Sequence, residues 1–163
     1  MESAWAFQLN LVEWQLFLHL SFAALTPSFN NRKAKCEELF WKLAGVHDLH
    51  LNDLAFVIRF ENGELTGRPH CHAVLTGLPE KGIDRKSQFA YQSWAKKIMG
   101  NARINPFQRS LPGVAYLTEG LHHYDPGTAY EISKFGTADA IYVSPKARME
   151  FLRARAFGVK RSR

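Results

Sequence analysis

The stretch Leu16-Phe17-Leu18-His19-Leu20-Ser21-Phe22 sets an unbroken apolar row (Leu16, Leu18, Leu20, Phe22) against a mixed one (Phe17, His19, Ser21). A period of two puts successive side chains on opposite faces of a strand, so residues 16–22 belong in a sheet with the leucine row buried. Pro27 and Asn30-Asn31 end that strand. Residues 54–60 and 68–75 read as two further strands, and Asn62-Gly63 followed by Gly67 fits a hairpin with a widened loop between them. Such a hairpin forces an antiparallel pair. Cys36, Leu39, Phe40 and Leu43 recur at helical spacing within residues 32–43, with Gly45 available to end the turn. Asp84 is placed to cap a helix over residues 85–99 that closes at Gly100. Residues 102–107 suggest a strand, 113–121 a short helix and 140–144 a last strand. The order β, α, β, β, α, β, α, β predicts an α+β fold, a mostly antiparallel sheet with helices packed on one face.

A chain of 163 residues suits a single domain. It contains no G-x-x-x-x-G-K-[ST] phosphate loop, which argues against an ATP-driven motor. The most apolar stretch, residues 16–25, is broken by His19 and Ser21 and is half the length of a spanning helix. No signal-peptide pattern is apparent at the start, so a cytoplasmic protein is expected. Cys36 and Cys71 form neither a disulfide framework nor a zinc knuckle, and their apolar surroundings suit packing. The net charge of +6 is concentrated: residues 146–163 hold seven basic side chains and one acid, Glu150, while residues 1–145 sum to zero. A neutral body (1–145) with a basic C-terminal tail (146–163) points to a polyanionic partner, with a solvated, solubilising end as the plainer reading. Arg153, Arg155, Lys160 and Arg161 in the tail, with Arg68 in the body, are the candidate phosphate contacts. Phe151, Leu152 and Phe157 would instead allow part of the tail to pack as a helix on the sheet.

His70-Cys71-His72 is the sharpest chemical feature. On a strand the two imidazoles share a face and Cys71 turns into the opposite layer. Glu61 ends the strand before, and the hairpin would bring its carboxylate to the same side. Two His and one carboxylate are half of a divalent-metal site that keeps positions open for water and substrate. The plainer reading of Glu61 is a hairpin-edge charge paired with Arg59 or Arg68.

These motifs resemble the HUH endonucleases, and within them the rolling-circle replication initiators, the Rep proteins of plasmids and small phages. That family carries a hydrophobic strand of the FLTLTF kind, a strand ending in a carboxylate, a G-x-P-H-u-H-a strand with u apolar, and a nucleophilic tyrosine on a helix with a lysine nearby. Residues 16–22 look like the first motif, and Gly67-Arg68-Pro69-His70-Cys71-His72-Ala73 is a close match to the histidine motif. Glu61 stands nine residues before His70, about where that family's third metal ligand lies. Gly113-Val114-Ala115-Tyr116-Leu117-Thr118-Glu119 is similar to the tyrosine helix, but Glu119 occupies the lysine position. Tyr130, with Lys134 one helical turn on, is the alternative nucleophile. Tyr116 is the better candidate, because Val114, Leu117 and Leu121 would anchor its helix across the sheet.

The resemblance implies a ferredoxin-like sheet and a metal-dependent DNA nickase and strand transferase. Its cofactor would be Mn²⁺ or Mg²⁺ on Glu61, His70 and His72, and its intermediate a 5′-phosphotyrosine. It also implies single-stranded or hairpin origin DNA as substrate, a host helicase as partner, no membrane, and a monomer. A single-tyrosine transposase of the same superfamily and a non-catalytic nucleic-acid-binding module are the alternatives. His19, His47 and His50 read as packed or surface residues, and His122-His123 as weak phosphate contacts. Trp5 and Trp14 are candidate platforms for unpaired bases, whereas Trp41 and Trp94, within helices, are expected in the core.

Overall fold

The computed structural model describes residues 4–23, 28–62, 67–119, 121, 131–135 and 139–161. In chain order its elements are α1 (Ala4–Asn10), β1 (Leu16–Phe22), α2 (Phe29–Gly45), β2 (Ala55–Asn62), β3 (Pro69–Thr76), α3 (Arg85–Met99), β4 (Gly100–Pro106), α4 (Gly113–Thr118), β5 (Glu131–Phe135), β6 (Asp139–Val143) and α5 (Pro145–Arg161). The strands form one sheet in the order β4-β1-β3-β2-β6-β5, and every pairing is antiparallel. Elements β1 to β4 with their two helices follow the split β-α-β of ferredoxin-like folds, as expected for the α+β class.

Local chemistry sets the element ends. Ser28 opens α2 by accepting a hydrogen bond from Asn31 N (3.2 Å), so the helix starts earlier than the apolar spacing alone suggests. Asp84 caps α3 in the same way through Ser87 N (2.7 Å), and this helix has the bounds expected of it. The chain then turns straight from α3 into β4 at Gly100, whose φ is +123°. A Cβ there would stand 2.5 Å from Cβ of Ala23, so only glycine fits.

Two cores sandwich the sheet. Leu16, Leu18, Leu20 and Phe22 of β1, Phe56, Ile58 and Phe60 of β2, and Cys71, Ala73 and Leu75 of β3 face α2 and α3. Cys36 and Cys71 meet there as free, buried thiols with sulfurs 3.6 Å apart, which fits their reading as packing residues. On the other face Ala55, Val57, Val74, Ile141 and Val143 pack against Trp5 and Leu9 of α1, Val114 and Leu117 of α4, and Ala147 and Phe151 of α5. Helices therefore cover both faces, not one.

The second layer escaped the sequence because α1 is only seven residues long and α5 is masked by its charge. Residues 145–161, taken above as a tail from 146 onward, continue the fold as helix α5. Ser144 starts it, its hydroxyl accepting from Ala147 N (3.2 Å) and from Phe56 N of β2 (2.9 Å). The tryptophans also reverse their expected places: Trp5 and Trp14 are buried in the second core, while Trp41 is 68% exposed. Trp14 Nε1 donates to the Leu9 carbonyl (2.8 Å), so its polar atom is satisfied inside. Trp94 packs partly buried against the first core, as its helical position suggested. Strand β5 was also not anticipated, and the described residues include no helix long and apolar enough to cross a membrane.

Phe151→Ala should lower unfolding free energy by about 3–5 kcal/mol, the usual loss for a fully buried aromatic. Urea denaturation measures this, and an unchanged midpoint would mean that α5 does not belong to the folded unit.

Candidate metal centre

On the second face the strands change character along their length. β2 runs Val57, Arg59, Glu61; β3 runs, in the opposite direction, Val74, His72, His70; β1 runs Phe17, His19, Ser21. The valines lie under α1, α4 and α5, and the polar residues occupy the other end of the same strands. Register turns these into cross-strand rows. Glu61 pairs with His70, His70 with Ser21, and Ser21 with Asn101; one row nearer the core, Arg59 pairs with His72, His72 with His19, and His19 with Arg103.

Glu61, His70 and His72 are brought together as the sequence suggested. Glu61 Oε2 lies 3.4 Å from His70 Nε2 and 3.5 Å from His72 Nε2. Donor atoms about 2.0–2.3 Å from one ion lie about 3–3.5 Å from each other, so these separations match the edges of a coordination shell. The three donor atoms all fall within 4.8 Å of one another. His70 Nδ1 is 3.3 Å from the Arg68 carbonyl, and in the neutral tautomer that donates this bond Nε2 presents its lone pair toward the carboxylate. In that tautomer two acceptors face each other, and a cation between them would satisfy both. His72 Nδ1, by contrast, is buried with no hydrogen-bond partner among the described residues. The donor set fits a hard or borderline divalent ion.

Arg59 is buried behind the carboxylate, its Nε 3.6 Å from Glu61 Oε1. The plainer reading of Glu61 as an ion-pair partner is thus true as well: one oxygen faces Arg59 and the other faces the imidazoles. Burial works to raise the Glu61 pKa, but the His70 hydrogen bond and the nearby charges of His72 and Arg59 outweigh it, so the carboxyl titrates below its usual value. His72 is pushed down from 6.5 to about 4, first by burial and then by His19. Both groups are therefore in their ligand-ready forms at neutral pH.

The structure adds His19, which sequence reading set aside as packed or surface. Its ring stacks on His70 (centroids 5.6 Å) and meets His72 edge-on (4.6 Å). Burial lowers its pKa, and His70 and Arg103 lower it further. The signal available in the sequence was parity: His19 shares the mixed face of β1 with Phe17.

Tyr116 projects from α4, its ring stacked on His72 with centroids 5.7 Å apart and half of its surface exposed. Val114 and Leu117 anchor the helix below it, as expected, and so does Leu121 just beyond. Gly113 begins α4 directly over Phe17, where a Cβ would come within 3.1 Å of the ring. Tyr130 lies outside the described residues, and of Lys134 only its place in β5 is described. His122 and His123 also lie outside them.

Of the candidate phosphate contacts, Arg68 is beside the centre, its Nε 3.4 Å from the Phe22 carbonyl. Arg153 lines a cleft with Glu13, Asp53 and Thr76, at the opposite end of the strands from Glu61, and is 3.1 Å from Glu150. Arg155 lies beside Gln8 of α1, on that same helical layer. Lys160 and Arg161 fall in the last turn of α5. No protein-family model, curated protein or solved structure matches this chain.

His70→Ala or His72→Ala should weaken Mn²⁺ binding by about a hundredfold or more, since each removes a ligand and not merely a supporting group. Isothermal titration checks this, and Glu61→Ala should lose less. A second expectation concerns pH in metal-free protein. The unfolded chain takes up a proton on His72 near pH 6.5, which the folded state refuses until about pH 4. The stability contributed by neutral His72 is thus full above 6.5 and drains as the pH falls toward 4. Urea midpoints in EDTA should fall across that window, and fall less in His72→Gln.

Proposed function

We propose that this chain is a metal-dependent endonuclease and strand transferase of the HUH type that nicks single-stranded or hairpin DNA at a replication origin and starts rolling-circle replication. The observation that carries this reading is the convergence of Glu61, His70 and His72 at one open end of the sheet, with Tyr116 stacked on His72 from a neighbouring helix.

Glu61, His70 and His72 would hold Mn²⁺ or Mg²⁺, which when bound supplies Lewis-acid polarisation of a phosphate oxygen. Tyr116 is the nucleophile. Its oxygen attacks the phosphorus of the scissile phosphodiester, the bond to the 3′ oxygen breaks, and the 3′ end leaves as a hydroxyl while the 5′ phosphate stays on the tyrosine. One ester is exchanged for another, so the reverse attack by a 3′ hydroxyl rejoins the strand without an outside energy source. The tyrosine's proton passes to solvent, to which half of its surface is exposed, and the leaving 3′ oxygen takes one up from solvent. Half exposure also suits a nucleophile that must meet a polymer, whereas a core tyrosine would be covered. The phosphodiester backbone must be splayed for in-line attack, which selects single strands or extruded hairpins. These 163 residues hold no phosphate loop, so the strand would reach them already unwound by a helicase.

Incubation with a pool of single-stranded oligonucleotides and Mn²⁺, followed by peptide mass spectrometry, tests the reading. A nucleotide adduct on the peptide carrying Tyr116 is expected, lost in Tyr116→Phe and in excess EDTA but kept in Tyr130→Phe. An adduct on Tyr130 would move the nucleophile, and cleavage without any adduct would remove the covalent mechanism.

A further inference from the structure

The centre opens sideways onto the β4 edge of the sheet. A cleft of about 490 Å³ begins at His72 and Tyr116 and is walled by Phe17, Phe107 and Leu111. A second, polar cleft of about 370 Å³ adjoins it and is lined by Gln92, Lys96 and Asn101. His19 and Arg103 belong to both, so the two form one groove that bends around the Arg103 side chain. We propose that this groove, and not the basic face of α5, binds the single strand next to the cleaved phosphate: an unstacked base in the apolar cleft and the following phosphate between Arg103 and Lys96. The proposal rests on the nuclease reading for the position of the cleaved phosphate.

Charge is the first argument. Among the described residues neither cleft has an acidic side chain on its wall, in a protein with 15 Asp and Glu. The α5 cleft, by contrast, sets Lys146 and Arg153 against Glu13, Asp53 and Glu150, and both cations pair with Glu150 (3.9 and 3.1 Å). A phosphate there would meet carboxylates as well as cations. Continuity is the second argument. His72, His19 and Arg103 form one cross-strand row, so Arg103 is two strand spacings, about 10 Å, from the metal ligand. A strand with one phosphate at Glu61, His70 and His72 reaches Arg103 with its next phosphates. The third argument is the wall chemistry. Phe107, Leu111 and Tyr116 offer flat or apolar surface to a base, and Leu111 and Tyr116 are more than half exposed with nothing covering them among the described residues. Asn105 and Gln108 supply the few polar groups that would orient it.

The test is fluorescence anisotropy with a labelled twelve-residue thymidine strand in EDTA, where binding is read without cleavage. Arg103→Ala combined with Lys96→Ala should weaken binding about tenfold or more, and lower the salt slope by about 1.4, since each contact on a single strand contributes about 0.7. Leu111→Ser, an uncharged change at an exposed position, should weaken it through the base cleft alone, with the salt slope and the melting temperature unchanged. Lys146→Ala combined with Arg153→Ala should leave affinity and slope within about twofold of the parent. Retained affinity in the first pair, or its loss in the α5 pair, would overturn the proposal, and so would equal binding of a twelve-pair duplex. The adduct assay separates the two readings. Full adduct formation in the Arg103 and Lys96 variant refutes the groove and leaves the nuclease; groove-dependent binding with no adduct on any tyrosine refutes the nuclease and leaves the groove.

Discussion

The antiparallel register of β2 against β3 is the constraint on which the centre depends. It sets Glu61 opposite His70 and Arg59 opposite His72, so a carboxylate and two imidazoles meet on one face at hydrogen-bonding range. A slip of β2 by one residue would turn Arg59 and Glu61 into the leucine-rich core on the other face, away from the histidines. The same slip would expose Phe56, Ile58 and Phe60, now buried beneath α2 and α3. Burial of that apolar row therefore holds the register, and the register holds the polar cluster. Cys71 shows the link within a single strand: its thiol packs on Cys36 while its two neighbours face the site.

The second face divides its length between two duties. Where the strands carry Ala55, Val57, Val74, Ile141 and Val143, helices α1, α4 and α5 cover them and bury a second core. Where they carry Glu61, His70 and His72, no helix among the described residues packs over them, and Tyr116 of α4 leans across from the rim onto His72. This arrangement gives rigidity and access together. The three side chains stand on hydrogen-bonded strands backed by two cores, and Glu61 and His70 remain partly exposed. Gly113 makes the junction possible, because its missing side chain lets α4 start against Phe17 and present Tyr116 over His72.

The cluster has an electrostatic cost that its neighbours offset. A half-buried carboxylate would resist ionising, and the buried Arg59 guanidinium with the two imidazoles brings it below its ordinary pKa. Burial keeps His72 neutral at physiological pH, which is the form that donates a lone pair. With both imidazoles neutral, a divalent cation would satisfy the carboxylate and the lone pairs together. Beyond the cluster, His19 continues the row to Arg103, and among the described residues the two clefts that they line carry no acidic side chain.

Much of this was legible in the sequence. Alternation in residues 16–22 and 68–75 determined which side chains share a face, because that follows from strand geometry alone, and the Asp84 cap determined where α3 begins. The pair His70 and His72, with Glu61 across the hairpin, was readable for the same reason. Other features were decided only by tertiary structure. Whether α5 is a solvated tail or part of the core turns on Ala147 and Phe151 finding the second face, and a charge-rich sequence does not announce that. His19 joins the cluster, and Arg103 the row beside it, only through pairing with strands 53 and 84 positions away. Arg153 is carried to the far end of the sheet by the direction in which β6 enters α5. Local pattern fixes a side chain's face, because that depends on the backbone of its own strand. Its neighbours depend on which strands pair, and that choice is made by the burial of both cores at once.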